Sequence, residues 1–100
     1  MKFFLLTDDS DTLMGMRLAG IEGKIVKSRD EAFLEYNNSV KNNVGILLIT
    51  FNVAELFGDD LTELKKKNAP LLIEIPDSNP EHSKPDGISN YLSNAVGIKI

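Results

Sequence analysis

Short apolar runs alternate along the chain with longer segments in which apolar side chains recur every three or four residues. The runs occupy residues 3–6, 24–26, 46–49 and 71–75. Runs this short, rich in branched side chains and bounded by turn formers, are typical of strands buried on both faces of a parallel sheet. The segments between them predict helices, so the chain predicts the order β-α-β-α-β-α-β-α.

The first helix is predicted to begin after Asp9 or Asp11, whose carboxylates can cap it, and to run to about Ala19. Gly20 and Gly23 suit its C-terminal turn, since glycine reaches left-handed backbone angles without a steric penalty. The apolar side of this helix is expected to consist of Leu13, Met14, Leu18 and Ile21.

The next two helices also carry start signals in the sequence. Ser28 and Glu31 form an S-x-x-E capping box for the second helix, and Asn52 with Glu55 predicts a similar cap for the third. Gly58 weakens the third helix, so a kink with a second start at residues 59–60 is expected there.

Parallel strands joined by right-handed helical crossovers give a three-layer α/β sandwich. We predict a four-stranded parallel sheet in the flavodoxin-like or receiver-like order 2-1-3-4, with residues 1–76 as its core. Residues 77–100 of the same single domain are predicted to be a flexible loop, with three prolines at 76–85, followed by a C-terminal helix. The apolar stripe of that helix is Ile88, Tyr91, Leu92, Ala95 and Val96.

Composition narrows the function classes. With 42% hydrophobic and 26% charged residues, the 100-residue chain is an ordinary globular protein, and its net charge of -4 disfavours binding to nucleic acid. The absence of cysteine removes disulfides and zinc–thiolate sites. Every apolar run is far shorter than the ~20 residues of a membrane span, so we expect a cytoplasmic protein without membrane insertion.

Asp8 and Asp9 follow the first strand, where paired carboxylates hold a divalent cation in response-regulator receivers. Phosphotransfer in a receiver also needs an aspartate at the end of the third strand, but this chain has Thr50, Phe51 and Asn52 there. Helix capping by Asp9 or Asp11 is therefore the favoured interpretation.

The remaining candidates for chemistry are weak. His82 is the only histidine, and its neighbours Ser83 and Asp86 lie in the proline-rich loop, which lacks the rigid geometry that nucleophile activation requires. The glycines of the first helix do not follow the G-x-G-x-x-G spacing of a dinucleotide site. We predict no catalytic residue, no metal ligand and no cofactor.

Two residues of the first helix indicate contacts instead. Gly15 costs about 1 kcal/mol relative to alanine within a helix, so a close approach by a strand of this domain or by another chain is expected there. Arg17 is the only cation of that helix. It either complements the helix dipole or contacts a partner.

Four segments, residues 15–20, 44–50, 75–77 and 95–97, resemble in order and spacing the F subunit of V-type (A/V-type) ATP synthases, whose usual pattern has Phe where this chain has Met16. The resemblance implies a non-catalytic subunit of the central stalk that binds the coiled coil of the D subunit and, through it, the catalytic A/B ring. It also implies a peripheral place on a membrane-bound complex that couples ATP hydrolysis or synthesis to proton or sodium transport. A C-terminal helix that changes position is a further implication.

We expect the partner interface of such a subunit to combine the first helix, the loop after the fourth strand and the last helix. Its candidate residues are Arg17, Ile21, Ile25, Ile75, Pro76, Asp77, Ile88, Tyr91, Leu92 and Val96. Two other functions stay open at this point: a receiver or pseudo-receiver signalling domain, and a small flavodoxin-like protein that binds a ligand.

Overall fold

The computed structural model describes residues 1–77 of the chain. In chain order its elements are β1 (Phe3–Thr7), α1 (Ser10–Leu18), β2 (Gly23–Ile25), α2 (Arg29–Lys41), β3 (Ile46–Thr50), α3 (Phe51–Phe57), α4 (Asp60–Lys65) and β4 (Leu71–Ile75). The predicted loop and C-terminal helix lie outside the described residues, apart from Pro76 and Asp77.

The four strands form one all-parallel sheet in the order β2-β1-β3-β4, which confirms the predicted α/β fold and strand order. Neighbours in parallel register point to the same side of the sheet. Leu5, Leu48 and Ile73 form one such row across β1, β3 and β4. The α1 helix packs on β1 and β2 from one side, while α2, α3 and α4 pack on the opposite side.

The start of α1 follows the sequence prediction. Asp9 is its N-cap residue, and its carboxylate accepts hydrogen bonds from the backbone N–H and the hydroxyl of Thr12 at 3.0 and 2.6 Å. Gly20 adopts φ +91° in the C-terminal turn, as expected. Gly23 does not serve that turn, because it opens β2, where a Cβ atom would lie 2.6 Å from the carbonyl oxygen of Leu5.

The capping box of α2 is also present. The hydroxyl of Ser28 accepts from the backbone N–H of Glu31 at 3.2 Å. The Glu31 carboxylate reaches one residue further back than the standard box, where it accepts from the N–H of Lys27 at 3.0 Å. The helix ends before Asn43, whose φ of 60° turns the chain toward β3.

The predicted cap of the third helix is wrong. Thr50 occupies the N-cap position without a side-chain capping bond, and α3 already includes Asn52. The Asn52 amide instead donates to the carboxylate of Asp8 at 3.0 Å, because the ends of β1 and β3 lie side by side. The break at Gly58 is confirmed, with φ +62° between α3 and α4, although the side chain of Asp59 makes no capping bond to α4.

The main core lies between the sheet and α2–α4. Phe57 is fully buried, and its ring meets the rings of Phe33 and Tyr36 edge-to-face at centroid distances of 5.0 and 6.2 Å. Leu6, Leu47 and Ile49, with other apolar side chains, complete this cluster. Aromatic pairs of this geometry stabilise the fold beyond the burial of their apolar area, so Phe57 stabilises the packing of α3 against α2.

The opposite side of the sheet is less completely covered than the sequence predicts. The runs predict strands buried on both faces, yet Phe3, Leu71 and Ile73 are 42%, 46% and 39% exposed. The described helix on this side, α1, packs on β1 and β2. The exposed side chains belong to edge strand β4 and to Phe3 at the start of β1, whereas Leu48 of β3 on the same side is buried.

Candidate partner interface

The α1 helix carries apolar side chains on the side that faces away from the sheet. Its inner side consists of Thr12, which is buried, and of Leu13 and Met16, which are half-buried. Met14 and Leu18 lie one helical turn apart on the outer side, and they are 64% and 86% exposed. The four residues expected to form one apolar stripe are therefore divided between two sides of the helix.

Gly15 belongs to the same exposed surface. A Cβ atom placed on Gly15 would meet no heavy atom of the described chain within 4 Å beyond the backbone of its own helix. The interpretation that a strand of this domain approaches Gly15 closely is thus wrong for residues 1–77. We use the term outer face of α1 for Met14, Gly15 and Leu18.

Arg17 is exposed beside this outer face. It lies in the last turn of α1, where a cation complements the negative end of the helix dipole. Its guanidinium forms no hydrogen bond or ion pair with any residue in the range 1–77. Its five donors are therefore open to a carboxylate or to carbonyl oxygens of another chain.

The structure separates the predicted interface residues into two groups. Arg17 and Ile21 lie at the C-terminal end of α1, next to edge strand β2, which carries the half-buried Ile25. The second group, residues 75–77, follows β4 at the other edge of the sheet. Two strands lie between β2 and β4, so the two edge strands are about 14 Å apart. Pro76 is exposed, while Asp77 is buried. The other four candidates lie outside the described residues.

Sequence reasoning missed the outward orientation of Met14 and Leu18. Both are apolar and both fit the helical spacing that marks a core-facing stripe, so periodicity alone assigns them to the core. A signal was nevertheless present. The hydrogen bonds between Asp9 and Thr12 at the cap turn the Thr12 side of α1 inward. At 3.6 residues per turn, positions 14 and 18 then lie on the opposite, outer side.

At the carboxyl edge of the sheet the two neighbouring aspartates are used separately. Asp9 caps α1, whereas Asp8 accepts from Asn52. Within residues 1–77, the second carboxylate oxygen of Asp8 and the hydroxyl of Thr50 are buried without a hydrogen-bond partner. No group of three or more His, Cys, Asp or Glu side chains suited to a metal ion occurs in that range. The arrangement therefore gives no support to a receiver-like pair of metal-binding carboxylates.

Comparison with known proteins decides among the open interpretations. A family model described as ATP synthase (F/14-kDa) subunit matches residues 5–92. The chain belongs to this family. Its relatives include the F subunit of the A-type ATP synthase of Pyrococcus abyssi, which is 34% identical over 98 residues that cover 92% of this chain and 91% of the relative.

Two further relatives carry the same name. The A-type ATP synthase F subunit of Methanococcus vannielii is 31% identical over 97 residues, covering 92% of both chains. The protein of Methanothermobacter thermautotrophicus is 28% identical over 95 residues, covering 92% of this chain and 90% of the relative. The resemblance noted in the sequence is thus confirmed: this family member is a subunit of an ATP synthase complex. Within residues 1–77, no helix is long and apolar enough to cross a membrane.

Proposed function

We propose that this chain is the non-catalytic F subunit of the central stalk of an A/V-type ATPase or ATP synthase, and that it binds the coiled coil of the D subunit. The observation that carries the proposal is the outer face of α1, which exposes two large apolar side chains in a member of this family. A subunit that acts by docking requires such a surface and requires no chemistry of its own.

The outer face of α1 has the composition expected at the centre of an interface. Met14 and Leu18 provide apolar area, and Asp11 and Arg17 flank them with charges that suit a polar rim. Gly15 has no side chain, so the backbone of a partner helix can approach α1 there more closely than elsewhere. A partner helix at this position would explain the glycine, because none of the described residues outside α1 approaches it within 4 Å.

One helical turn is too small to form a stable interface alone. Specific interfaces bury on the order of 1,200–2,000 Å² in total, so neighbouring residues must contribute. Ile21 and Ile25 extend the surface from α1 along edge strand β2, and we include both. A second group of candidate interface residues is separate from the outer face of α1 in this proposal. It consists of residues 75–77 at the opposite edge of the sheet and of Ile88, Tyr91, Leu92 and Val96.

In the complex, the chain would rotate with the stalk and help couple ATP hydrolysis or synthesis to proton or sodium transport, while other subunits bind and turn over ATP. Its place would be peripheral, on the cytoplasmic side of a membrane-bound assembly. The catalytic A/B ring would be contacted through the D subunit.

Co-expression with the D subunit of the same organism tests the proposal. We expect a one-to-one complex, and we expect Leu18→Asp to weaken it at least tenfold, which corresponds to about 1.4 kcal/mol, as measured by titration calorimetry. The matched control is Leu34→Asp on α2, because Leu34 is also exposed, at 58%, but lies on the opposite side of the sheet. This control should bind like the unchanged chain.

Arg17→Glu provides a second measurement on the same surface. Reversal of the charge should lower the affinity for the D subunit. It should lower the stability of the isolated chain only through the lost interaction with the helix dipole, by about 1 kcal/mol, since the Arg17 side chain forms no hydrogen bond or ion pair within residues 1–77. If Leu18→Asp and Leu34→Asp bind the D subunit equally well, the outer face of α1 is not the interface. If no complex with the D subunit forms at all, the proposed function itself is wrong.

A further inference from the structure

The two ends of the sheet carry opposite charge. The segments that lead into the strands contain three lysines and one glutamate, and α2 ends on a further lysine; these residues are Lys2, Lys66, Lys67, Glu22 and Lys41. Up to residue 77, the segments that follow the strands contain three aspartates and one lysine, namely Asp8, Asp9, Asp77 and Lys27. A chain with a net charge of -4 therefore has a cationic surface at the amino end of its sheet.

The positive charge at this end is largely unpaired. Lys66 forms an exposed ion pair with Glu63 at 3.3 Å. Glu22 lies before edge strand β2, on the far side of the sheet from β4. The other lysines form no ion pair with any residue in the range 1–77; they are Lys2, Lys41 and Lys67. The C-terminal ends of α2 and α4 face the same end, but each supplies at most roughly half a negative charge, so they stabilise the lysines without neutralising them.

A notch in the surface lies beside these lysines, and we call it the amino-end notch. Its volume is about 320 Å³, and it is lined by a residue of α2, by the loop before β3 and by the residues before β4, namely Val40, Asn43, Val44, Gly45, Ala69 and Pro70. Of these six described residues, only Asn43 has a polar side chain. Val40 is 46% exposed, so an apolar side chain of α2 is open to a partner there.

Backbone hydrogen bonds hold the walls of the notch together. The N–H of Gly45 donates to the carbonyl oxygen of Lys2 at 2.8 Å, and the N–H of Leu71 donates to the carbonyl oxygen of Gly45 at 2.9 Å. Lys41 and Lys67 lie one and two residues along the chain from residues that line the notch. The notch is thus formed by paired backbone, and a preorganised surface loses less conformational freedom on binding.

We propose that the amino-end notch binds an acidic segment of another protein of the ATP synthase complex, with an apolar side chain of that segment in the notch and its carboxylates beside Lys2, Lys41 and Lys67. An apolar anchor in a pocket with charges at its rim is the usual composition of a specific interface. The volume of the notch lies at the lower limit of the ~300–1,000 Å³ in which proteins enclose small molecules, so it suits one side chain better than a cofactor. Opposite charge at the rim orients the partner.

Charge disfavours the other occupants. Residues 78–100 of this chain contain two acidic and two basic side chains, Glu81, Asp86, Lys84 and Lys99, so they do not complement a basic surface. A second copy could offer only its acidic carboxyl end, and such a head-to-tail contact leads to open chains of copies instead of a closed pair. Anionic membranes attract clusters of about 4–8 basic residues, whereas this chain has a net charge of -4.

The inference rests on membership of the complex and not on the proposed binding of the D subunit. The outer face of α1 lies on one side of the sheet, and the amino-end notch lies between α2 and the starts of β3 and β4 on the other. Both surfaces can therefore be occupied at the same time, and each can be tested without the other.

A synthetic peptide with one leucine between two pairs of glutamates tests the chemistry of the notch. We expect it to shift the NMR amide signals of residues 40–45 and 67–71 in the full-length chain. Val40→Asp and Lys41→Glu should each weaken binding by at least about fivefold, and so should sodium chloride at about 0.5 M. The matched controls are Leu34→Asp, on the same helix, and Lys27→Glu, at the carboxyl end of the sheet, because both residues are exposed. Both controls should bind like the unchanged chain.

The assembled complex gives the second measurement. A carbodiimide joins a lysine amine to a carboxylate in contact with it, so treatment of the purified ATP synthase complex should link Lys41 or Lys67 to an aspartate or glutamate of another subunit, as identified by mass spectrometry. Cross-links from these lysines only to residues of this chain, or none at all, would overturn the proposal.

The peptide titration has its own contrary outcomes. The proposal is wrong if the peptide shifts no amide signal, or if Val40→Asp and Lys41→Glu bind it as well as their controls do. Binding to phosphatidylserine vesicles without binding to the peptide would overturn it in favour of a membrane. A mass that rises with the concentration of the chain, and that Lys41→Glu restores to the monomer, would overturn it in favour of a second copy.

Discussion

The Nη1 atom of Arg29 donates a hydrogen bond of 2.8 Å to the carbonyl oxygen of Phe57, which joins the first residue of α2 to the last residue of α3. The same nitrogen donates to the carbonyl of Leu56 at 3.2 Å, and Nη2 pairs with the carboxylate of Asp60. The carbonyls at the end of a helix lack partners within it, so Arg29 supplies donors that α3 needs before the break at Gly58.

Replacement of Arg29 by Met should lower the free energy of unfolding by about 1–3 kcal/mol. The variant keeps an unbranched stem but loses the donors to Leu56 and Phe57 and the cation above the ring of Phe33, whose centroid lies 4.9 Å from Cζ. Urea unfolding measures the change. Arg17→Met is the control, because Arg17 makes no such contacts within residues 1–77, and equal loss in both variants would show that the contacts of Arg29 contribute nothing.

Two glycines on or beside α1 should respond in opposite ways to replacement by alanine. Gly15→Ala should raise the free energy of unfolding by about 0.5–1 kcal/mol, because alanine is the better helix former and its Cβ atom meets nothing within 4 Å in the described chain. Gly23→Ala should lower it by about 1–3 kcal/mol, since its Cβ atom would lie 2.6 Å from the Leu5 carbonyl oxygen and 3.0 Å from the Leu13 side chain.

Thermal and urea unfolding of the two variants measure these effects, with each glycine as the control for the other. Loss of stability in Gly15→Ala would mean that part of the chain outside residues 1–77 packs against that position. The affinity for the D subunit, measured on the same variant, distinguishes an effect on stability from an effect on function. If α1 meets the partner at Gly15, the more stable Gly15→Ala variant should bind the D subunit more weakly than the unchanged chain.

The fold could be predicted from the sequence because its signals are local. Each strand is a short run of branched side chains, and the caps formed by Asp9 and Ser28 require only residues within one turn of them. The break at Gly58 is likewise a local property. Asn52 shows the limit: its spacing to Glu55 matches a capping box, but its partner is Asp8, which is distant in sequence and becomes a neighbour only when β1 pairs with β3.

The candidate interface is harder to predict because it depends on which side of α1 meets the sheet. Periodicity identifies apolar positions but does not distinguish core from interface, so it places Met14 and Leu18 inward. Arg17 can be recognised because a lone cation in a short helix stands out in the sequence itself. The contacts of Arg29 with α3 could not be inferred, since they link residues that only the tertiary fold brings together.

The choice between Asp9 and Asp11 as the cap of α1 leads to another prediction. Asp9→Ala should lower the free energy of unfolding by about 0.5–2 kcal/mol, because it removes the acceptor for the N–H and the hydroxyl of Thr12. Asp11→Ala should cost only a few tenths of a kcal/mol, since exposed Asp11 stabilises the first turn only through the helix dipole. Urea unfolding at low ionic strength distinguishes them, and a larger loss in Asp11→Ala would reverse the assignment.

Tyr36 combines a well-packed ring with a hydroxyl that is buried without a hydrogen-bond partner within residues 1–77. Tyr36→Phe keeps the ring against Phe57 and removes the unpaired polar group. We therefore expect the free energy of unfolding at neutral pH to stay the same or to rise by about 1 kcal/mol, as measured in urea. A loss of more than about 1 kcal/mol would indicate that the hydroxyl has a partner elsewhere in the chain.

The same substitution should change how stability depends on alkaline pH. Burial raises the pKa of Tyr36 above its ordinary value of 10.0, because desolvation disfavours the phenolate. Below pH 10 the tyrosine is protonated in both states and adds no pH dependence. Above it, the unfolded chain releases this proton while the folded chain retains it, so the stability of the unchanged protein falls with rising pH. In Tyr36→Phe that part of the decline in stability should disappear, whereas the control variant Tyr91→Phe should retain it. If the stability of the unchanged chain and that of Tyr36→Phe fall in parallel as the pH rises, the folded state does not hold the Tyr36 proton more tightly.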